Sequence, residues 1–171
     1  YRGFGGPITD MTTATWRGLM SVNLDGVFYC CRAAARAMIR RGRGGRIINV
    51  ASTQAVTPGV GVSYDSSQAA VVQMTRVLAL ELARHGINVN ALAPGATWVE
   101  PGVPAPPVQA ELMPLTGEPL NDQVVDRIKR IPMGRWGSPE DIGKAALFLA
   151  SPMSDFVTGI YLPVDGGWLV L

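Results

Sequence analysis

The chain has 171 residues, of which 47% are hydrophobic and 16% charged, and its formal net charge is +2 at pH 7. This length suits one domain with a sizeable core, and the charge argues neither for nor against an acidic partner. No apolar run approaches the ~18 residues of a membrane span, and the first residues, YRGFGGPITD, do not resemble a signal peptide.

The first predicted element is a long helix over about 14–41. Apolar residues recur along it at helical spacing: Trp16, Leu19, Met20, Val27 and Met38. Its last turn is basic, as the helix dipole favours, and Gly42 follows as a termination signal. Stacking aromatic residues do not interleave the basic run, so we interpret it as a solvated helix end and predict no nucleic-acid partner.

Two adjacent cysteines, Cys30 and Cys31, lie on this helix. Neighbouring helix positions do not form a disulfide framework. We therefore predict two buried, inert thiols in a protein of the reducing cytoplasm.

The segment from Arg46 to Gln68 has the most informative pattern. An apolar strand at 46–51 ends at Ser52, and a loop with Pro58 and Gly59 leads to Tyr64, at the start of a helical pattern over 63–85. A hydroxyl at a strand end and a phenol in the next helix can converge on the crevice where open α/β sheets bind ligands.

The remaining elements continue the alternation of strand and helix. A second apolar strand at 88–93 closes on Pro94-Gly95, a helix begins at Ser138-Pro139, and a third strand covers 160–164. Between them, residues 96–138 form a proline-rich connection, typical of a lid or binding loop, with a short helix at about 121–130. The pattern predicts an α/β fold with a parallel sheet.

Six segments occur in one order along the chain: VNLDGVF (22–28), GRIINVAS (45–52), Tyr64 with its helix, NVNALAPG (88–95), GRWGSPEDIG (134–143) and TGIYLPVDGGW (158–168). Together they resemble the carboxyl-terminal two-thirds of the short-chain dehydrogenase/reductase family. The resemblance implies one incomplete Rossmann-like domain over 1–171. Its partial doubly wound parallel sheet would have three strands flanked by helices, with 96–138 as the substrate-loop insertion.

The resemblance also implies roles for individual residues. Tyr64 would be the general acid/base, Ser52 would hold the substrate oxygen, and Asn23 would anchor a water relay. The family has a lysine four residues after the tyrosine, whose charge favours the phenolate, since an unperturbed phenol ionises near pH ~10. In this chain that position is Gln68, and the spacing between Ser52 and Tyr64 is one residue shorter than the family pattern.

The cofactor implied by the resemblance is NAD or NADP. Its nicotinamide side would be held by Tyr64, Pro94, Gly95 and the backbone near Thr97, although Val99 stands where the family has a hydroxyl residue. The sequence contains no glycine-rich phosphate loop of the form G-x-x-x-G-x-G. We therefore expect this chain to bind the cofactor weakly.

The implied function is NAD(P)-dependent oxidoreduction of a small-molecule carbonyl or alcohol. Because of Gln68 and the absent phosphate loop, two alternatives stay open: a non-catalytic relative that pairs with an active subunit, and an inactive truncated product. The helices at 14–41 and 63–85 would form a homo-oligomer interface, and no membrane partner is expected.

Overall fold

The computed structural model describes residues 6–99 and 131–170. Within these ranges the helices and strands follow in the order α1 (Thr13–Met20), α2 (Gly26–Arg41), β1 (Gly45–Val50), α3 (Val62–Leu82), β2 (Ile87–Pro94), α4 (Pro139–Ala150) and β3 (Tyr161–Val164). The helix predicted at 121–130 and most of the 96–138 connection lie outside the described residues. No helix in the described ranges is long and apolar enough to cross a bilayer.

The three strands form one parallel sheet in the order β1-β2-β3. Strand β2 is central and almost completely buried, because it lies between β1 and β3 and helices pack on the sheet. Its buried Asn90 donates to the Val157 carbonyl oxygen. Gly45 pairs with Ile87 at one end of the β1–β2 ladder. The α/β fold and the three predicted strands are confirmed. Among the described residues, β1 pairs only with β2 and is an edge strand.

Helices α2 and α3 cover one face of the sheet through two apolar clusters. The first cluster joins Cys31, Ile47, Ala79, Leu82, Ile87 and Val89. The second joins Ala51, Val71, Val72 and Ala91. Each fully buried valine in these clusters stabilises the fold by about 1.5–3 kcal/mol. Helix α4 packs against all three strands.

A short polar chain crosses this apolar layer. The Cys31 thiol donates to Asn49 Oδ1 at 3.1 Å, and Asn49 Nδ2 donates to Thr75 Oγ1 at 2.9 Å. Burial raises the pKa of the Cys31 thiol. The expectation of two buried thiols is correct for Cys31 and wrong for Cys30, which is exposed because the next helix position points about 100° away.

The long amino-terminal helix has the predicted extent but not a uniform geometry. Between α1 and α2 the residues Ser21–Asp25 form a π-helical segment. Asn23 lies in this segment, and π-helical turns occur frequently at functional sites.

Candidate functional site

Ser52 lies two residues beyond the carboxyl end of β1 and is 8% exposed. Its Oγ accepts a hydrogen bond from the Gln54 backbone N–H at 3.2 Å. Its carbonyl oxygen accepts from Ala55 N at 3.0 Å and from the Tyr161 hydroxyl at 3.1 Å. Ser52 is therefore fixed through both its side chain and its backbone.

Tyr64 is the third residue of α3 and is half-buried. The loop that separates it from Ser52 is tied to the same helix by Asp65. The Asp65 Oδ2 atom accepts from Gly59 N at 2.8 Å and from Val60 N at 3.3 Å. Because parallel strands share a carboxyl edge and α3 starts there, Ser52 and Tyr64 lie at the same edge of the sheet.

A buried hydroxyl joins Asn23 to Tyr64. Asn23 Nδ2 donates to Ser67 Oγ at 3.2 Å, and Ser67 Oγ donates to the Tyr64 carbonyl oxygen at 2.7 Å. Ser67 is completely buried. Ser67 is not among the predicted site residues, although its position three residues after Tyr64 places it one helical turn away.

Gln68 follows Tyr64 by one helical turn and is 7% exposed. Its Oε1 atom is buried and accepts no hydrogen bond. A buried amide oxygen without a donor is costly, so a ligand hydroxyl at this atom would bring a net gain. Lys144, the one lysine among the described residues, lies on α4 rather than near α3.

Pro94 and Gly95 stand at the carboxyl end of β2, next to the end of β1. Gly95 N donates to the Val164 carbonyl at 3.0 Å. A Cβ atom at Gly95 would lie 2.7 Å from Asp165 Cβ, so close packing against the segment after β3 requires glycine here. Thr97 Oγ1 donates to the Gly95 carbonyl at 3.1 Å. These residues have structural partners within the chain.

The structure thus places Ser52 just after β1, Tyr64 and Gln68 on the first turns of α3, and Asn23 on the π-helical segment that contacts α3 through Ser67. Pro94, Gly95 and Thr97 belong to the neighbouring strand end. Among the described residues, no group of three or more histidine, cysteine or acidic side chains is placed to hold a metal ion.

A protein-family model described as enoyl-(acyl carrier protein) reductase matches residues 2–169. The chain belongs to the short-chain dehydrogenase/reductase family. The three-stranded parallel sheet flanked by helices therefore belongs to a known Rossmann-type architecture.

Among curated relatives, a 2-dehydro-3-deoxy-D-gluconate 5-dehydrogenase of Dickeya dadantii is 40% identical over 94% of this chain and 59% of its own length. A galactitol 2-dehydrogenase (L-tagatose-forming) of Cereibacter sphaeroides is 43% identical over 92% of this chain and 58% of its own length.

A solved structure of a gluconate 5-dehydrogenase from Burkholderia cenocepacia, in complex with NADP and tartrate, aligns with a TM-score of 0.81 and 37% identity. The alignment covers 97% of this chain and 60% of that one. The chain therefore spans about 59% of the length of the curated relatives it matches.

Proposed function

We propose that the protein is an NAD(P)-dependent oxidoreductase that interconverts a secondary alcohol and a ketone on a small polyhydroxylated substrate, a polyol or a sugar acid. The observation that carries the proposal is the fixed placement of Ser52 and Tyr64 at one edge of the sheet. The substrate class is supported by the names of the relatives, several of which are dehydrogenases of galactitol, sorbitol or gluconate.

The hydrogen bonds of Ser52 suit it to hold the substrate oxygen. Its Oγ accepts from Gln54 N and donates to no described residue, so its own O–H remains available for a ligand. A hydroxyl held in this way can donate to the oxygen on which negative charge develops during ketone reduction.

Tyr64 supplies the proton in this proposal. Its phenol donates a proton to the carbonyl oxygen in reduction and removes the hydroxyl proton in oxidation, a contribution of about 10²–10⁴-fold for general acid–base groups. Ser67 and Asn23 support it through the Tyr64 backbone.

The residues at the site fit the nicotinamide end of the cofactor. On rotation of its side chain, the unpartnered Gln68 Oε1 would accept from a ribose hydroxyl, and we assign the other nicotinamide contacts to Pro94, Gly95 and Thr97 at the end of β2. When bound, the nicotinamide ring accepts or supplies the hydride. Gln68 adds no positive charge beside the phenol, and this observation favours a second candidate function, that of a non-catalytic relative.

The deciding experiment is an assay of the protein expressed from its complete reading frame, with galactitol, sorbitol and gluconate and with NAD or NADP. We expect cofactor reduction with at least one substrate. Saturable cofactor binding without any turnover would favour the non-catalytic alternative. For the 171-residue chain alone we expect weak binding, and a micromolar dissociation constant in calorimetry would contradict that expectation.

We also infer that the protein associates with itself through the outer faces of α2 and α3. Leu80 is 83% exposed and Val77 is 45% exposed on α3, and Phe28 and Tyr29 are exposed on α2. Light scattering should give a mass above the monomer that falls for Leu80→Glu. The matched change Leu147→Glu, at a position of α4 that is 69% exposed, should leave the mass unchanged. Equal masses for all three proteins would contradict the inference.

A further inference from the structure

Tyr161 starts β3, yet its side chain reaches the segment that follows β1. In the sheet order β1-β2-β3 the two strands are separated by β2. The Tyr161 ring packs against the apolar cluster that contains Ala51 and Ala91. Its hydroxyl donates to the Ser52 carbonyl oxygen at 3.1 Å. The phenol thus spans β2 and joins the two outer strands.

The Ser52 carbonyl accepts two hydrogen bonds, and they come from different elements. One donor is Ala55 N, at 3.0 Å, which belongs to the local 3₁₀-helical turn Thr53–Ala55. The other donor is the Tyr161 hydroxyl. A carbonyl oxygen has two lone pairs, so both are used. The local turn sets the conformation of the backbone at Ser52, and the Tyr161 hydroxyl ties that backbone to β3.

The surroundings of the Tyr161 ring keep its hydroxyl protonated, so that the hydroxyl can donate a hydrogen bond. Burial, together with the nearby Asp165 charge, raises the pKa of Tyr161 to about 12. The phenol is therefore protonated throughout the pH range in which the protein would be assayed, and the hydrogen bond to Ser52 persists.

We propose that Tyr161 is a positioning residue, which holds the Ser52 backbone so that the Ser52 hydroxyl points at the substrate oxygen. This inference rests on the proposed function, in which Ser52 contacts the substrate. Small displacements of a positioned group cost rate steeply. Loss of the bond should therefore lower the rate of the chemical step more than it weakens substrate binding.

The test uses Tyr161→Phe in the protein expressed from its complete reading frame. The variant keeps the ring in its cluster and removes only the hydroxyl. We expect kcat to fall about tenfold with KM changed less than about twofold. Thr13→Val, at an exposed position of α1, also removes a single hydroxyl and is the control; it should leave both constants unchanged.

A double-mutant cycle separates positioning from a general loss of structure. If Tyr161 acts through the Ser52 hydroxyl, Tyr161→Phe should have no further effect on kcat in a Ser52→Ala background. An equal effect in both backgrounds would overturn the proposal. So would an unchanged kcat in the single variant.

Amide hydrogen exchange tests whether Tyr161 anchors the Ser52 backbone, and it needs no activity assay. In Tyr161→Phe the amides of Gln54 and Ala55 should exchange about tenfold faster, while the control Thr13→Val leaves them unchanged. If the wild type turns over no substrate, the proposed function fails. Faster exchange would then still support Tyr161 as the Ser52 anchor, and unchanged exchange would overturn it.

Discussion

Replacing Gly95 with alanine tests why a glycine stands at the carboxyl end of β2. In many nucleotide-binding proteins a glycine lets the backbone approach the cofactor closely. In this structure close packing against Asp165 also requires a glycine at position 95. A Cβ atom at Gly95 would lie 2.7 Å from Asp165 Cβ and 2.8 Å from Asp165 Cα, closer than side chains pack.

The expected loss of stability follows from these contacts. The obstructing Asp165 Cα is backbone, and the Asp165 carboxylate is itself held by Gly167 N at 2.9 Å and Leu169 N at 3.0 Å. The segment cannot yield by rotating one side chain, so the overpacking costs about 1–3 kcal/mol. Displacement of Gly95 N from the Val164 carbonyl adds about 0.5–1.5 kcal/mol. We expect Gly95→Ala to lower the free energy of unfolding by about 2–4 kcal/mol.

Urea unfolding of the wild type and variant measures this difference. Gly143→Ala is the matched control, because Gly143 lies inside α4 with open space around its Cα. That change should leave stability equal or raise it by up to about 1 kcal/mol. A Gly95→Ala variant that is as stable as the wild type but does not bind NADP would refute the packing argument. It would show that the glycine is needed so that the backbone can approach the cofactor closely.

Three further changes have expected outcomes. Asn49→Leu removes two buried side-chain hydrogen bonds and should lower the free energy of unfolding by about 1–3 kcal/mol in urea titrations. Gln68→Lys places a cation one turn after Tyr64 and should raise kcat, with the larger gain near neutral pH; a slower variant would show that another group activates the phenol. The hydrogen bond from Arg135 holds the pKa of Asp141 well below its usual range. The resulting stabilisation is complete above the unfolded value of about 4 and is lost as the pH falls below it. Asp141→Asn should therefore cost about 1 kcal/mol at pH 7 and flatten the decline of Tm in acid.

The sequence predicted the elements that depend on local pattern. Apolar runs identified the three strands, and the change from strand to helical spacing placed Ser52 at a strand end and Tyr64 at a helix start. These features follow from side-chain periodicity and from the turn residues between them, so one chain is sufficient to recognise them.

Contacts between distant segments were not predictable in the same way. The hydrogen bond from Tyr161 to Ser52 joins residues 109 positions apart, and the close approach of Gly95 to Asp165 depends on the register of β2 and β3. Helical periodicity also does not show which face of the π-helical segment lies against α3, so the link from Asn23 through Ser67 could not be predicted from the sequence.

The central claim is that Tyr64 transfers the proton in an NAD(P)-dependent reaction at Ser52. The most direct measurement is kcat/KM of the wild type and of Tyr64→Phe, both expressed from the complete reading frame, on the best substrate of the polyol and sugar-acid panel. We predict measurable wild-type turnover and a loss of about 10²–10⁴-fold in the variant, whose fold is unchanged by circular dichroism. Equal kcat/KM values for the two proteins would contradict the assignment of Tyr64.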